Sequence, residues 1–413
     1  MLTRRAAAQF AAGTALTVAL GTAAVPGKAA GKVVKVGVDL SLTGADAESA
    51  ARVKNGITMA MDAANQANAV PGYSFEILLL DDGSSTAGQY DPAQAATNAR
   101  KMVSDPLVVA AIGPMMSGAG KAMAPILSQG DLATITPSST NPDLTSPKFA
   151  PQYRPAGKPI YFRTVTTDAY QGPNMANYMA EKLGIKSVYV LDDSGAYGVG
   201  IADTFQEQAE KKGIKVLGRD RLDPKSADYS AILTKIKSLN PQAMYYGGVA
   251  QAGVKLAKQS YDLIANVIKG GGDGVAGASF LTGTGFPAAQ GWYATIASPH
   301  MTGDTKAAEF VKAYTGEFGV APEDYSITAY DAALVIVDAV KRVAASRKPM
   351  TRDAVRDAIQ TARVATIQGM VSFDANGDLA DRTVSVFQIR QDKDARLDDI
   401  SKQYQYVDVA PQS

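Results

Sequence analysis

The sequence contains no cysteine and a single histidine, His300. Without cysteine the chain cannot form disulfides, thiolate nucleophiles or cysteine-ligated zinc sites, and one histidine leaves little for general-base catalysis or histidine-based metal binding. These absences exclude many classes of enzyme. We therefore expect a protein that is not an enzyme and that carries no cofactor and no metal ion.

The chain also lacks an excess of charge of either sign. Lys and Arg total 41 and Asp and Glu total 40, so the formal net charge is +1. Such a balance produces no long-range field that would attract nucleic acid or an anionic membrane. We expect no nucleic-acid partner.

After the first thirty residues, no stretch approaches the roughly 20 consecutive apolar residues that a membrane span requires. The first thirty residues themselves are typical of an export signal. Arg4 and Arg5 precede the apolar run Phe10–Val25, and the small residues Gly27 and Ala29 then stand two apart, as signal peptidase prefers. We predict that residues 1–29 are a signal peptide cleaved after Ala29, and that the mature protein acts outside the cytoplasm.

The route of export stays open. The arginine pair is similar to that of a twin-arginine signal, but the residues after it match poorly, so the general secretory route is an equal alternative. No cysteine stands at the expected cleavage point. That absence excludes a lipid anchor at this position.

The remaining chain has the size and composition of two ordinary domains, with 413 residues in total and 46% hydrophobic residues. From Val33 onward, segments typical of strands and helices alternate. Strands are predicted at Val33–Leu40 and Phe75–Leu80, and helices at Ala47–Gln66 and Ala93–Ser104. A series of this kind predicts a parallel, doubly wound sheet with right-handed crossovers.

A proline-rich interruption, Pro142–Pro159, divides the series. Further strands are then predicted at Ser187–Leu191, Ile214–Leu217, Ala243–Tyr246 and Val267–Ile268. We therefore predict an α/β fold with two doubly wound parallel-sheet lobes. The cleft between the strand ends of the two lobes is the expected ligand site.

Two polar loops follow neighbouring strands of the first lobe. Ala110–Ile112 leads into Gly113–Gly118, and Thr134–Thr136 leads into Pro137–Thr140, with the helix-like stretch Gly118–Gln129 between them. These loops should meet at the carboxyl edge of the sheet, where open α/β sheets bind small molecules. Their hydroxyl and backbone N–H groups suit a carboxylate. The candidate residues are Ser117, Ser138, Ser139 and Thr140; alternatively, they cap the following helices.

The second lobe offers groups of the opposite character. Asp273 follows a predicted strand, and Tyr197 and the pair Tyr245–Tyr246 stand at comparable strand ends. A carboxylate with aromatic faces suits an ammonium group. A zwitterionic ligand would satisfy both lobes. The alternatives are that Asp273 caps a helix or binds its glycine-rich turn, and that the tyrosines are core residues.

Two other motifs are weaker. Gly272–Gly277 matches the dinucleotide fingerprint G-x-G-x-x-G, but Asp273 would direct a negative charge towards a pyrophosphate. Asp374–Asp378 is similar to part of a calcium loop, yet its twelfth position is Ser385. We expect the second motif to be a hairpin turn that joins strands at 370–373 and 383–388.

Short motifs with the spacing of one known family run from about Lys32 to Arg390. They are Val36–Gly44, Asp81–Asp82, Ile112–Pro114, Ile135–Pro142, Phe162–Thr164, Gln171–Pro173, Tyr197–Gly200, Tyr245–Gly248, Gly272–Gly274 and Ala329–Ala332. In this order they resemble the exported substrate-binding proteins of ABC importers of the leucine/isoleucine/valine-binding type, which have the type I periplasmic binding fold.

The resemblance implies a chain that crosses between its lobes three times, through a three-strand hinge. It implies one lobe of residues 32–167 plus 297–368, a second lobe of residues 168–296 plus 369–390, and a C-terminal tail of residues 391–413. It also implies a periplasmic monomer that binds a small molecule and delivers it to an ABC permease and ATPase complex in the inner membrane.

The resemblance further implies a set of ligand contacts. The α-carboxylate would meet Ser117, Thr140 and the backbone of Ser138, and the ammonium would meet Ser138, Thr140 and Asp273, with Tyr197 lining the ligand. The full predicted set of ligand-binding residues is Ser117, Ser138, Ser139, Thr140, Tyr197, Tyr246 and Asp273.

Three departures from the family pattern limit the prediction of the ligand. Ser49 occupies the region of a frequent aromatic residue, Val249 stands where the leucine binder has tyrosine, and Asp273 is one methylene shorter than the family's Glu. We expect recognition of an amino-acid head group, with an aliphatic, branched-chain amino acid as the first candidate. Relatives of this fold that bind amides, urea or aromatic acids, or that serve ligand-sensing receptors, are the alternatives.

Overall fold

The computed structural model describes residues 31–412, so the predicted signal peptide lies outside the described residues. The chain alternates strands and helices throughout. The strands are β1 (Lys32–Leu40), β2 (Tyr73–Asp81), β3 (Gly83–Ser84), β4 (Gln89–Tyr90), β5 (Val108–Ile112), β6 (Thr134–Thr136), β7 (Tyr161–Arg163), β8 (Ser187–Asp192), β9 (Lys215–Arg221), β10 (Ala243–Gly247), β11 (Ile268–Gly271), β12 (Tyr293–Ile296), β13 (Val364–Thr366), β14 (Gly369–Val371), β15 (Ser385–Ile389) and β16 (Tyr404–Val409).

The α-helices cover the sheets and connect their strands. They are α1 (Ala47–Gln66), α2 (Pro92–Ser104), α3 (Ser117–Gln129), α4 (Ala150–Tyr153), α5 (Asp168–Glu181), α6 (Ala196–Lys211), α7 (Ser230–Leu239), α8 (Ala250–Leu263), α9 (Ala278–Thr284), α10 (Ala308–Phe318), α11 (Asp324–Ala345), α12 (Arg352–Gln360) and α13 (Ile400–Gln403). Among the described residues, no helix is long and apolar enough to cross a membrane.

The first lobe is built on a parallel sheet with the order β2-β1-β5-β6-β7. On one face, Val36 and Ile112 pack in the same core as Ile57 of α1 and residues of α11. On the other face, Ala111 packs in a separate core with Met123 of α3 and residues of α2. Since both faces of the sheet are covered, its strands are apolar on both sides, as in a doubly wound sheet.

The second lobe is built on a sheet with the order β16-β15-β12-β11-β10-β8-β9. The five strands from β12 to β9 are parallel, whereas β15 and β16 are antiparallel to their neighbours. The architecture of two doubly wound lobes is thus confirmed. The segment 391–413, which we predicted as a tail, contains α13 and the edge strand β16.

The predicted hairpin at residues 370–388 is wrong in its pairing. The turn itself forms: the backbone N–H of Asp374 donates to the carbonyl of Asp378 at 2.9 Å, and Gly377 has a φ of 101°, which favours glycine. However, β14 pairs with β13, and β15 pairs with β12 and β16. The two strands that flank the turn therefore belong to different sheets.

Three chain segments join the lobes: after β7, after β12 and before β15. The second segment leads to α11, which packs beside α1 on the first lobe. The turn at Asp374–Asp378 also contacts the first lobe, because the backbone N–H of Arg163 donates to the carbonyl of Gly377 at 3.2 Å. The chain thus returns to the second sheet only close to β15. The residue boundaries of the lobes stay a prediction.

The close packing of α1 against α11 depends on Gly56. A Cβ atom at Gly56 would collide with the carbonyl oxygen of Ser326 in α11, whereas a Cβ at the exposed Gly316 of α10 would meet nothing within 4 Å. We expect Gly56→Ala to lower the free energy of unfolding by about 1–3 kcal/mol, because overpacking displaces the helices. Gly316→Ala should raise it by about 0.5–1 kcal/mol through helix propensity. Urea denaturation measures both, and equal effects would contradict the packing argument.

Candidate functional site

A cavity of about 50 Å³ lies between the two lobes, at the carboxyl ends of their parallel strands. The first lobe contributes Met115–Ser117 and Ser138, from the loops after β5 and β6. The second lobe contributes Tyr197 at the start of α6, Val249 before α8, and Asp273 after β11. The structure thus brings together four predicted site residues: Ser117, Ser138, Tyr197 and Asp273.

The two predicted loops are adjacent because β5 and β6 pair in parallel. Ser117 begins α3, and its Oγ accepts from the backbone N–H of Asn141 at 3.2 Å. The hydroxyl of Ser138 donates to the carbonyl of Met115 at 3.2 Å, which joins the two loops directly. Hydroxyls and the N-terminus of α3 therefore surround this end of the cavity, an arrangement suited to an anion.

Ser139 and Thr140 lie behind the cavity wall. The hydroxyl of Ser139 accepts from the Tyr161 hydroxyl at 3.0 Å and lies 3.4 Å from the Oγ of Ser117. Thr140 is fully buried, and its backbone carbonyl accepts from the N–H of Asp168 at 2.9 Å. Both residues support the loop that carries Ser138 from behind, and neither lines the cavity.

Arg163 of β7 holds the second loop in shape and was missed by the sequence analysis as a site residue. Its guanidinium is fully buried. It donates to the carbonyl of Ser139 at 2.6 Å, to the carbonyl of Asn141 at 2.9 Å and to a carboxylate oxygen of Asp378 at 2.8 Å. Its sequence signal is an arginine within an otherwise buried strand, Tyr161–Arg163, because a buried guanidinium needs several acceptors.

Asp273 is the focus of the opposite wall. Its Oδ1 accepts from the Tyr197 hydroxyl at 2.7 Å and from Nε2 of Gln171 at 2.8 Å. The hydroxyl of Tyr325, from α11 of the first lobe, also donates to this carboxyl. Burial raises the pKa of Asp273 above its ordinary value, and these three donors oppose that rise.

Asp273 shares Gln171 with a second buried carboxyl, Asp168 at the start of α5. Nε2 of Gln171 also donates to Oδ1 of Asp168 at 3.0 Å. Burial and the nearby charge of Asp273 raise the pKa of Asp168 to about 8. Two carboxyls that share one donor in a buried environment cannot both ionise easily, so each disfavours the ionised form of the other.

The tyrosines at the end of β10 do not line the cavity. Tyr246 is fully buried, and its hydroxyl donates to the carbonyl of Val249 at 2.9 Å. Tyr245 is also fully buried and stacks on Phe205 with ring centroids 3.7 Å apart. Both tyrosines are therefore core residues, which was the alternative to a role in ligand binding.

The glycines of 272–277 permit close approach within and between the lobes. A Cβ at Gly272 would collide with the Tyr197 hydroxyl, and a Cβ at Gly277 would lie 2.7 Å from the Oγ of Ser49 in α1. The motif is therefore explained by packing around the cavity. Nothing in this arrangement requires a pyrophosphate.

Direct hydrogen bonds close the lobes around the cavity. The backbone N–H of Ser49 donates to the Oγ of Ser279 at 3.0 Å, and the N–H of Ser279 donates back to the Oγ of Ser49 at 3.2 Å. The N–H of Ala278 donates to the carboxylate of Glu323 at 2.7 Å. Asn141 donates to the carbonyl of Ala196 at 2.9 Å. These contacts define a closed conformation.

Several other residues around the cavity were not predicted from the sequence: Asp46, Asp168, Gln171, Glu323 and Tyr325. Gln171 stands in one of the motifs that carry the family resemblance, which was a usable signal. Asp46, Asp168 and Glu323 are single carboxyl residues at helix starts, where capping is the ordinary interpretation. Tyr325 is a single aromatic residue in the first turn of α11, where packing is the ordinary interpretation. Their roles emerge only from the juxtaposition of the lobes.

A two-lobed α/β fold with a cavity between the strand ends of the lobes is the architecture of a solute-binding protein of the periplasmic type. The model of the periplasmic binding protein family matches residues 33–395. The chain belongs to this family.

Its relatives include the Leu/Ile/Val-binding protein BraC3 of Rhizobium johnstonii, which is 30% identical over 86% of this chain and 91% of that protein. A second is the leucine-, isoleucine-, valine-, threonine- and alanine-binding protein of Pseudomonas aeruginosa, 28% identical over 88% of this chain and 91% of that protein. Among solved structures, the leucine-binding protein LivK of Thermotoga maritima superimposes with a TM-score of 0.78 at 26% identity, over 91% of this chain and 98% of that one.

The buried carboxyls make a pH dependence of stability measurable. The pKa is raised to about 8 for Asp168, to about 7 for Asp46 and to about 6 for Asp193, in each case mainly by burial. The folded protein therefore holds protons that the unfolded chain releases near pH 4, so the free energy of unfolding falls as the pH rises through these values. We expect the melting temperature of the protein in the closed conformation to fall from pH 5 to pH 8.

Two variants separate this effect from general charge effects. Asp168→Asn should flatten the dependence between pH 6 and pH 8, while Asp62→Asn, an exposed residue of α1, should leave it unchanged. Thermal denaturation at constant ionic strength measures the slopes. A melting temperature that rises over this interval would contradict the assignment of buried protons.

Proposed function

We propose that this protein is an extracytoplasmic, monomeric solute-binding protein that captures an α-amino acid and delivers it to an ABC permease and ATPase complex in the inner membrane. The observation that carries the proposal is the complementary pair of walls in one interlobe cavity: Ser117 and Ser138 with the N-terminus of α3 on one side, and Asp273 with Tyr197 on the other. The names of the relatives support an aliphatic, branched-chain amino acid as the first candidate.

In this proposal the ligand carboxylate binds Ser117 and the backbone of Ser138, and its ammonium binds Asp273 beside the ring of Tyr197. The ammonium would favour the ionised form of Asp273, whose charge would then be balanced by the ligand. Ser139, Thr140 and Tyr246, which we also predicted as ligand-binding residues, would act from behind the wall by fixing the loops.

Binding without catalysis is supported by the groups of the cavity. The chain's single histidine, His300, lies outside the cavity wall, where its Nδ1 is 3.2 Å from Asp324 and its ring stacks on Tyr406. The cavity wall of the described residues presents hydroxyl, carboxyl, phenol and apolar groups. Such groups can bind a carboxylate and an ammonium group through hydrogen bonds and charge, which supports binding without a chemical reaction.

Calorimetric titration with a panel of amino acids, amides and carboxylic acids tests the function. We expect α-amino acids to bind and Asp273→Asn to weaken their binding about tenfold or more, because the variant loses a charge-assisted hydrogen bond. Asp262→Asn, in α8 and exposed, is the matched control and should bind as the wild type does. Unchanged affinity in Asp273→Asn would refute contact with the ammonium.

Lobe closure provides an independent test. Because the two walls belong to different lobes, a ligand completes both sets of contacts only in the closed form, and its differential affinity drives closure. We expect saturating ligand to reduce the radius of gyration measured by small-angle scattering. Gly277→Val should abolish this compaction, because its side chain would wedge against Ser49 of α1. Gly316→Ala should retain it, and a ligand-bound wild type as open as the free protein would contradict the clamp.

A further inference from the structure

Asp46 is a cavity residue whose hydrogen-bonding capacity the protein does not fill. It directly precedes α1, where an aspartate ordinarily accepts from a backbone N–H of the first helical turn. Asp46 makes no such bond. Its side chain lines the interlobe cavity, the residue is 5% exposed, and no described residue donates a hydrogen bond to its Oδ2.

The other carboxyls around Asp46 have donors of their own. Glu323, also in the cavity wall, accepts from the N–H of Ala278 and lies 3.6 Å from Nε of Arg52. Asp193 accepts from the backbone N–H of Val249 and of Gly195, both at 2.9 Å. Within residues 31–412, no cation lies within ion-pair distance of Asp46. A buried carboxyl left in this state is costly unless something else supplies a donor.

The surroundings of Asp46 show how the protein tolerates this carboxyl. The backbone N–H of Ala250, at the start of α8 in the second lobe, donates to it and lowers its pKa. Burial and the charges of Asp193 and Asp82 outweigh that donor and raise the pKa to about 7. One side of the carboxyl therefore meets the opposite lobe, and the remaining oxygen has no partner within residues 31–412.

The position of Asp46 separates it from the proposed head-group contacts. Those contacts come from the loops after β5 and β6 and from the end of β11, whereas Asp46 comes from the loop after β1. Ser49, one helical turn further along α1, and Ser279 of α9 also line the cavity. The cavity thus has a polar side in addition to its apolar side chains, Met115, Met116 and Phe280.

We propose that Asp46 accepts a hydrogen bond from a donor on the side chain of the bound amino acid, either a hydroxyl or an ammonium group. This inference rests on the proposed function, since it takes the head group to be held by Ser117, Ser138 and Asp273. It assigns to Asp46 the selection of a polar side chain over an aliphatic one of the same shape, and so favours a polar amino acid such as threonine, which one relative's name includes, over the aliphatic first candidate.

Pairs of ligands with matched shapes test the inference by calorimetric titration of the full mature chain. Threonine and valine differ by a hydroxyl in place of a methyl group, and lysine and 2-aminoheptanoic acid differ by a terminal ammonium in place of a methyl group. We expect the wild type to bind the polar member of at least one pair with a dissociation constant about tenfold lower or more. A hydrogen bond to a charged group contributes a free energy of that size. Asp46→Ala should remove that preference, and the exposed control Asp62→Ala should retain it.

A second variant distinguishes the two donors and guards against misfolding. Asp46→Asn keeps an acceptor oxygen but loses the charge, so it should retain part of a preference for threonine and lose a preference for lysine. Circular dichroism and melting temperature establish that each variant is folded.

Three outcomes would overturn the inference. Equal affinity of the wild type within both pairs, with loss of binding in Asp273→Asn, would refute the role of Asp46 and leave the proposed function standing. If Asp46→Ala weakened the binding of threonine and of valine by the same factor, the role of Asp46 in selecting the side chain would also be refuted. Asp46 would then affect binding only through its contact with Ala250 at the start of α8. Failure of all four amino acids to bind would refute both proposals.

Discussion

The buried guanidinium of Arg163 is the interaction on which the shape of the candidate site depends. A fully buried charge is tolerated only when its donors are satisfied, and here the acceptors are the carbonyls of Ser139 and Asn141, the hydroxyl of Thr145 and the carboxylate of Asp378. Two of these acceptors belong to the loop that carries Ser138. The fourth belongs to the third interlobe segment. One side chain therefore links the loop that carries Ser138 to the hinge.

The opposite wall of the cavity is the one that carries Asp273. The described residues that line the cavity include carboxyl groups but no cationic side chain. Asp168 and Asp273 share one amide donor, and the pKa of each is raised by burial. Water could stabilise these groups in an open cleft but not in a closed one. An ammonium group would replace both the water and the proton. The electrostatics of the closed form are thus those of a site that favours a cationic group.

The sequence predicted the parts of this structure that depend on local pattern. The alternation of strands and helices, the adjacency of the loops after β5 and β6, and the approach of Tyr197 to Asp273 follow from periodicity and from the rule that parallel strands end at one edge. Strand partners are not local, so β14 and β15 were wrongly paired and β16 was not foreseen. Likewise, nothing in the pattern separates Tyr197, in the cavity wall, from Tyr246, in the core.

The free energy of lobe closure depends more on the buried carboxyl that lacks a donor than on the direct hydrogen bonds between the lobes. The bonds between Ser49 and Ser279 and between Ala278 and Glu323 exchange water for protein partners, so each contributes only about 0.5–1.5 kcal/mol net. In an open form, the same groups would form hydrogen bonds with water instead. Asp46 differs, because one of its carboxyl oxygens is buried in the cavity wall without a donor among the described residues. A ligand that supplied the missing donor to Asp46 would therefore stabilise the closed form beyond what these direct bonds contribute.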